Sequence, residues 1–202
     1  MKLIEELKSV KEKVGKKVKK RIKEFEKNWE CEEKILMELF FCILTANFNA
    51  ERSVRIQQAI GREFLNLNES ELEKRLKELG YRFPKRAKYI VKARNLPIKR
   101  ILESLKDERE AREWLAKNVD GIGYKEASHF LRNIGFKNLA IIDFHILNVL
   151  ERNGIVKRPK SLTPKKYLEI EEKLREIAEE LGVSLAELDL YLWFLETGKI
   201  LK

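Results

Sequence analysis

Apolar residues along this chain recur at three- and four-residue spacing almost from end to end. Leu3, Leu7, Val10, Val14, Val18, Ile22, Phe25 and Trp29 form one such stripe and predict a long amphipathic helix at the start of the chain. Later helices are marked by their ends. Asn68 with Glu71 and Ser184 with Glu187 fit capping boxes, in which a short polar side chain and an acid three residues on satisfy free amides of the first turn. Thr163-Pro164 fits an N-cap followed by proline at the first helical position, where no amide is missed. Gly80, Gly135 and Gly182 fit helix stops. About ten helices result. No convincing run of strands appears, so the fold class is all-α. Leu139 to Ile142 looks strand-like but reads as a buried connection into the helix after Asp143. The clearest loop runs from Arg152 to Thr163, with Gly154, Pro159 and four basic residues. There is no internal repeat and no low-complexity tail.

At 202 residues the chain can bury a core in one domain or two closely packed lobes. Lys and Arg number 43 and Asp and Glu 33, a net charge of +10 that favours an anionic partner, nucleic acid first. A solvated, heat-tolerant surface rich in Lys and Glu gives the same balance. The excess is densest from Lys8 to Lys27, with ten basic residues against three Glu, which suits either a solvated helix face or a DNA contact. Two cysteines, Cys31 and Cys42, imply no disulfide framework and cannot make a four-cysteine iron–sulfur or zinc site. The N-terminus has no long apolar run, and the stretch from Ile35 to Ala46 is too short to cross a bilayer and contains Glu38. The expectation is a soluble, intracellular, cytoplasmic protein with no membrane partner.

One stretch carries chemistry. Val119-Asp-Gly-Ile-Gly-Tyr-Lys125 sets two glycines around one aliphatic residue, between helical patterns over Glu110 to Asn118 and Tyr124 to Asn133. That is a helix–hairpin–helix. Gly121 and Gly123 let the backbone approach a phosphate without a Cβ in the way, and the following helix start adds free N–H groups. The hairpin carbonyls could also hold a monovalent cation. Lys125 sits in the first turn of the second helix, where the dipole disfavours a cation and favours a free amine nucleophile. A phosphate contact or a merely exposed lysine suits the same position. Asp143, eighteen residues later, directly precedes the apolar-periodic helix Phe144 to Arg152 and fits its N-cap. A cap also holds a carboxylate rigid, as a catalytic group requires.

The Gly-Ile-Gly-Tyr-Lys hairpin and the Ile-Asp-Phe-His segment, with their spacing, resemble the helix–hairpin–helix DNA glycosylase superfamily, over most of the chain. In lyase-competent members the lysine attacks the sugar and the aspartate assists, so the resemblance implies that Lys125 and Asp143 are catalytic. Asn47-Phe-Asn-Ala-Glu-Arg52 and Gly80-Tyr-Arg82 are similar to segments of 8-oxoguanine glycosylases that enter the duplex. By that likeness Asn47, Arg52 and Arg82 read the orphaned cytosine, and Tyr81 is the wedge. Read without it, Asn47 is a cap, Tyr81 is core and the arginines are surface charge. The absent iron–sulfur cysteines and the lack of room for an extra β-domain point to the compact second, archaeal-type family of 8-oxoguanine DNA glycosylase/AP lyases. The C-terminal stretch from Asp189 to Lys202 resembles that family too, making Trp193 a stacking residue and Lys202 a base contact.

His129, one turn beyond Lys125 on the same helix face, borders the base pocket or is a satisfied core histidine. His145 is placed to reach a backbone phosphate. Two histidines do not point to a catalytic metal, and no cofactor is expected. The implied architecture is a single glycosylase unit, 1–202. Its lobe A is 32–133, with the helix–hairpin–helix at 110–133. Its lobe B is 1–31 plus 134–202, and the active site is in the cleft between them. The expected partner is double-stranded DNA containing 8-oxoguanine, bound by a nucleoid-associated monomer. A glycosylase for oxidised pyrimidines and a non-catalytic DNA-binding module are the alternatives.

Overall fold

The computed structural model describes residues 2–202. Among them there is no strand, and eleven α-helices follow one another: α1 (Lys2–Asn28), α2 (Glu32–Thr45), α3 (Ala50–Ile60), α4 (Glu69–Glu78), α5 (Ala87–Arg94), α6 (Ile98–Glu103), α7 (Glu108–Asn118), α8 (Tyr124–Asn133), α9 (Phe144–Arg152), α10 (Pro164–Leu181) and α11 (Leu185–Thr197). Two 3-10 turns, Gly61–Leu65 and Pro84–Arg86, lead into α4 and α5. The predicted caps are in place. Asn68 with Glu71 and Ser184 with Glu187 form capping boxes, Thr163 caps α10 ahead of Pro164, and Gly182 ends α10 in the left-handed region.

The chain divides into two units, residues 2–27 with Leu131–Lys202, and Asn28–Phe130. In the second, α2 is the central helix. Phe40, Phe41, Cys42, Ile43 and Leu44 are all fully buried, so it has no solvent face over this stretch. Helices α3, α5 and α6 pack on it, and α4 packs on α5. In the first unit, α1 buries Leu3, Ile4, Leu7, Val10, Val14, Val18, Ile22 and Phe25, the expected stripe up to Trp29, which lies past the helix end and is half-buried. Helix α11 packs on α9 and α10.

The stretch Leu139–Ile142 is a buried strap that is neither helix nor strand. Side chains of α10 satisfy part of its polar backbone. Ala140 N–H donates to Glu171 (2.9 Å), Tyr167 Oη donates to the Ala140 carbonyl (2.7 Å), and Ile142 N–H donates to the Tyr167 oxygen (3.1 Å). A buried amide needs a partner, and here two side chains stand in for a neighbouring strand. The strap delivers the chain to the start of α9.

Candidate active site

In the second unit, the hairpin between α7 and α8 turns at Gly121, whose φ is +83°. A Cβ there would come within 2.9 Å of the Tyr89 ring and 3.7 Å of Ile43. Glycine is needed twice over, for the positive φ and for the close approach of α5. Lys92 of α5 also pairs with Asp120 at 2.7 Å, and that contact raises the lysine's pKa. Ile122 is buried and anchors the tip, while Gly121 and Gly123 stay exposed.

Lys125 lies in the first turn of α8 with about a quarter of its side chain exposed (24%). Glu126 stands 3.4 Å from its Nζ through one carboxylate oxygen, and the other accepts the Gly123 N–H at 3.3 Å. The acid thus links the hairpin backbone to the lysine. Beneath the same turn lies Arg112 of α7, 1% exposed, with its guanidinium 5.1 Å from the Tyr124 ring and 3.5 Å from Ser128 Oγ. His129 is buried, edge-on to Phe41 at 5.6 Å.

The segments Asn47 to Arg52 and Gly80 to Phe83 form a second cluster of this unit. Asn47 is exposed and holds a left-handed φ of +51°; it caps nothing. The cap of α3 is Asn49, whose Oδ1 accepts the Arg52 N–H at 2.9 Å. Arg52 donates to the Gly80 carbonyl (3.0 Å) and lies over the Phe48 ring. Tyr81 corrects an expectation. It is 4% exposed, edge-on to Phe48, and its hydroxyl donates to the Leu44 carbonyl (2.8 Å) while accepting from Arg86 (3.0 Å). A ring held on three sides as core is not an exposed wedge. Burial pushes its phenol pKa up. Exposed Arg82 and half-buried Phe83 follow it, with the guanidinium 5.2 Å from the ring centre. Both line an open cleft of about 630 Å³, together with Lys77, Lys85, Tyr89 and Gly121. The cleft therefore joins this segment to the hairpin.

In the first unit, Asp143 caps α9. Its Oδ1 accepts the Ile146 N–H at 2.9 Å, and Oδ2 has no hydrogen bond among the described residues. The strap behind it is fixed by Tyr167 and Glu171, and Arg175 adds a bond to the Asn138 carbonyl (3.2 Å). His145 lies edge-on to Trp193 of α11, with centroids 4.8 Å apart, and close to Phe144 at 3.9 Å. Phe144 is the one large apolar side chain strongly exposed among the described residues, at 59%. Trp193 is half-buried, and its Nε1–H is buried without an acceptor among the described residues. Lys202 is half-buried at the chain end. One turn before Trp193, Asp189 pairs with buried Arg132. Among the described residues, no group of three His, Cys, Asp or Glu side chains is placed to hold a metal ion, and no helix is long and apolar enough to cross a membrane.

A sequence model of the 8-oxoguanine DNA glycosylase family matches residues 18–183. The chain belongs to that family. An 8-oxoguanine DNA glycosylase/AP lyase of Methanocaldococcus jannaschii is 55% identical over all of this chain and 99% of its own. One of Korarchaeum cryptofilum is 55% identical over 92% of this chain and 90% of its own. Among solved structures, the M. jannaschii 8-oxoguanine glycosylase/lyase in complex with 15mer DNA containing 8-oxoguanine superposes with a TM-score of 0.96 at 51% identity, covering 100% of both chains. The Thermotoga maritima 8-oxoguanine DNA glycosylase gives 0.93 at 43% identity, covering 100% of this chain and 99% of that one.

Several side chains that brace the candidate site were not found from the sequence. Glu126, Arg112, Tyr167, Glu171 and Arg175 all act on backbone or on a neighbour. Two left a signal. Arg112 and Glu171 are charges set inside apolar stripes, between Ala111 and Leu115 and between Ile170 and Leu174.

Proposed function

We propose that this protein excises 8-oxoguanine from duplex DNA and cuts the strand at the resulting site through an imine on Lys125. The reading is carried by one observation. A lysine sits, partly exposed, in the first turn after a two-glycine hairpin, in a chain that matches 8-oxoguanine glycosylase/lyases along its whole length. The hairpin amides and the start of α8 hold a backbone phosphate of the damaged strand. The lesion is flipped out of the stack, at a cost of roughly a few kcal/mol. Phe83 occupies the gap in place of the buried Tyr81. Arg82, with Asn47, faces the orphaned cytosine.

The flipped base meets Trp193, which offers its ring and an unused N–H donor, and the Lys202 end of the chain. The Lys125 amine donates its lone pair to C1′, and the C1′–N9 bond breaks as the base leaves with its electron pair. The Asp143 carboxylate stabilises the positive charge that grows on the sugar. Ring opening gives the imine. Loss of a C2′ proton then breaks the C3′–O3′ bond and nicks the strand. His145 contacts a phosphate near Asp143. The protein works on the cell's own DNA, in the cytoplasm.

Borohydride reduces such an imine to a stable amine. Wild-type protein on a duplex with 8-oxoguanine opposite cytosine is expected to give a covalent adduct. Lys125→Gln is expected to abolish it while still binding the duplex. Undiminished trapping by that variant would reject Lys125 as the nucleophile, and no excision by the wild type would reject the substrate.

A further inference from the structure

Helix α1 carries the strongest charged patch of the chain, and the site above does not use it. Lys13, Lys16, Lys20, Lys23 and Lys27 follow one another at three- and four-residue steps, opposite the buried stripe, with Lys17 and Lys19 on either side. All seven are exposed. At 1.5 Å per residue the row is about 21 Å long.

What marks it is an unbroken row without counter-charge. Several lysines that stand beside an acid are matched: Lys8 with Glu5, Lys77 with Glu73, Lys92 with Asp120, Lys137 with Glu26, Lys166 with Glu169. Lys16, Lys17, Lys19, Lys20, Lys23 and Lys27 have no ion pair or hydrogen bond among the described residues. The two acids on this half of α1 beyond Lys13 are already engaged, Glu24 with Arg21 and Glu26 with Lys137. Like charges three and four residues apart on a helix repel. Only Lys27, in the last turn, gains from the helix dipole. A row this long lacks its counter-ions in the protein itself.

We infer that this face of α1 is a second DNA-binding surface, which takes the phosphate backbone of undamaged duplex without reading sequence. It rests on the proposed function only for the choice of DNA as the polyanion. The charge density fits. Duplex DNA carries about one phosphate charge per 1.7 Å of axis, both strands counted, so about 21 Å of duplex holds more phosphates than the row has lysines. Flexible ammonium groups neutralise phosphates without fixed geometry, which is what a search along undamaged DNA requires. The surface adds affinity for long duplex and leaves the chemistry at Lys125 untouched.

The test is the salt dependence of binding to an undamaged 30-base-pair duplex. Each lysine that neutralises a phosphate contributes about 0.9 to the slope of log K against log salt. The variant K16Q/K20Q/K23Q/K27Q is expected to lower that slope by about 2 to 4, and to bind at least tenfold more weakly near physiological salt. The matching four-arginine variant is expected to keep the wild-type slope. Single-turnover excision of 8-oxoguanine at saturating enzyme should be the same in all three proteins. An unchanged slope and affinity in the glutamine variant overturns the proposal, whether the face then serves an acidic protein or nothing. A second measurement needs no variant. Undamaged duplex is expected to protect these lysine amines of the wild type from acetylation, and equal labelling with and without DNA overturns the proposal. Neither the salt slope nor the labelling involves 8-oxoguanine, so failure of either stays separate from failure of the excision reading.

Discussion

Tyr81 and Phe83 stand two residues apart, and the ring that motif likeness made the wedge is the buried one. Gly80 turns the chain in the left-handed region, and the next ring goes inward, under Phe48 and onto the Leu44 carbonyl. Sequence shows the aromatic residues and the glycine but not which ring the turn sends inside. Tyr81→Phe removes a donor to a buried carbonyl and is expected to cost roughly 1–3 kcal/mol of stability in urea titration, with excision nearly unchanged. The sign of its pH dependence also follows. The folded state raises the phenol pKa, so its contribution is full below the ordinary value of 10.0 and is lost as pH rises through the folded value. The variant should therefore lose less stability than wild type above pH about 10. Phe83→Ala should do the reverse, leaving stability close to wild type and slowing excision tenfold or more. Normal excision by Phe83→Ala would return the wedge to another residue.

The helix ends were the most legible elements, because capping depends on a few adjacent residues. Asp143 is the case with consequences. As a cap it needs only an oxygen, and as a charge stabiliser it needs to be ionised. Asn caps as well as Asp. Asp143→Asn is therefore expected to keep thermal stability within about 0.5 kcal/mol and to slow imine trapping at least a hundredfold. Full activity would reduce Asp143 to a cap. The hairpin between α7 and α8 was legible as a turn but not in what braces it. Tyr89 lies thirty-odd residues before Gly121, and no local pattern links them. Gly121→Ala brings a methyl to 2.9 Å from the Tyr89 ring in a backbone conformation that costs roughly 1–2 kcal/mol for alanine. The hairpin must shift, and affinity for a duplex carrying an abasic-site analogue should fall tenfold or more. The double variant with Tyr89→Ala should recover part of that loss. No recovery would mean the ring does not set the hairpin.

At the scale of the molecule, periodicity located the helices and the all-α class, since a buried stripe repeats along each helix. It did not reveal the buried charges, which pair across elements far apart in sequence. Arg132, Asp189 and Glu171 each interrupt an apolar face, and each alone looks like an error in the pattern. Arg132, at the end of α8, is 4% exposed at its side chain, pairs with Asp189 of α11, donates to Asn133 and lies over Phe25 of α1. Side chains from three helices, all of them within one unit, meet at this guanidinium. A buried pair adds little net stability, but removing one partner leaves a charge without its match and costs roughly 3–5 kcal/mol. Asp189→Ala should lose about that much, and Arg132→Leu with Asp189→Leu should lose less, because both charges leave together. The measurement can be confined to this unit. Trp193 is its one tryptophan, while Trp29 and Trp114 lie in the other unit, so Trp29→Phe with Trp114→Phe makes unfolding readable from Trp193 alone. A double variant that loses as much as Asp189→Ala would mean that the pair supplies the stability itself, and that the shape left by two leucines cannot replace it.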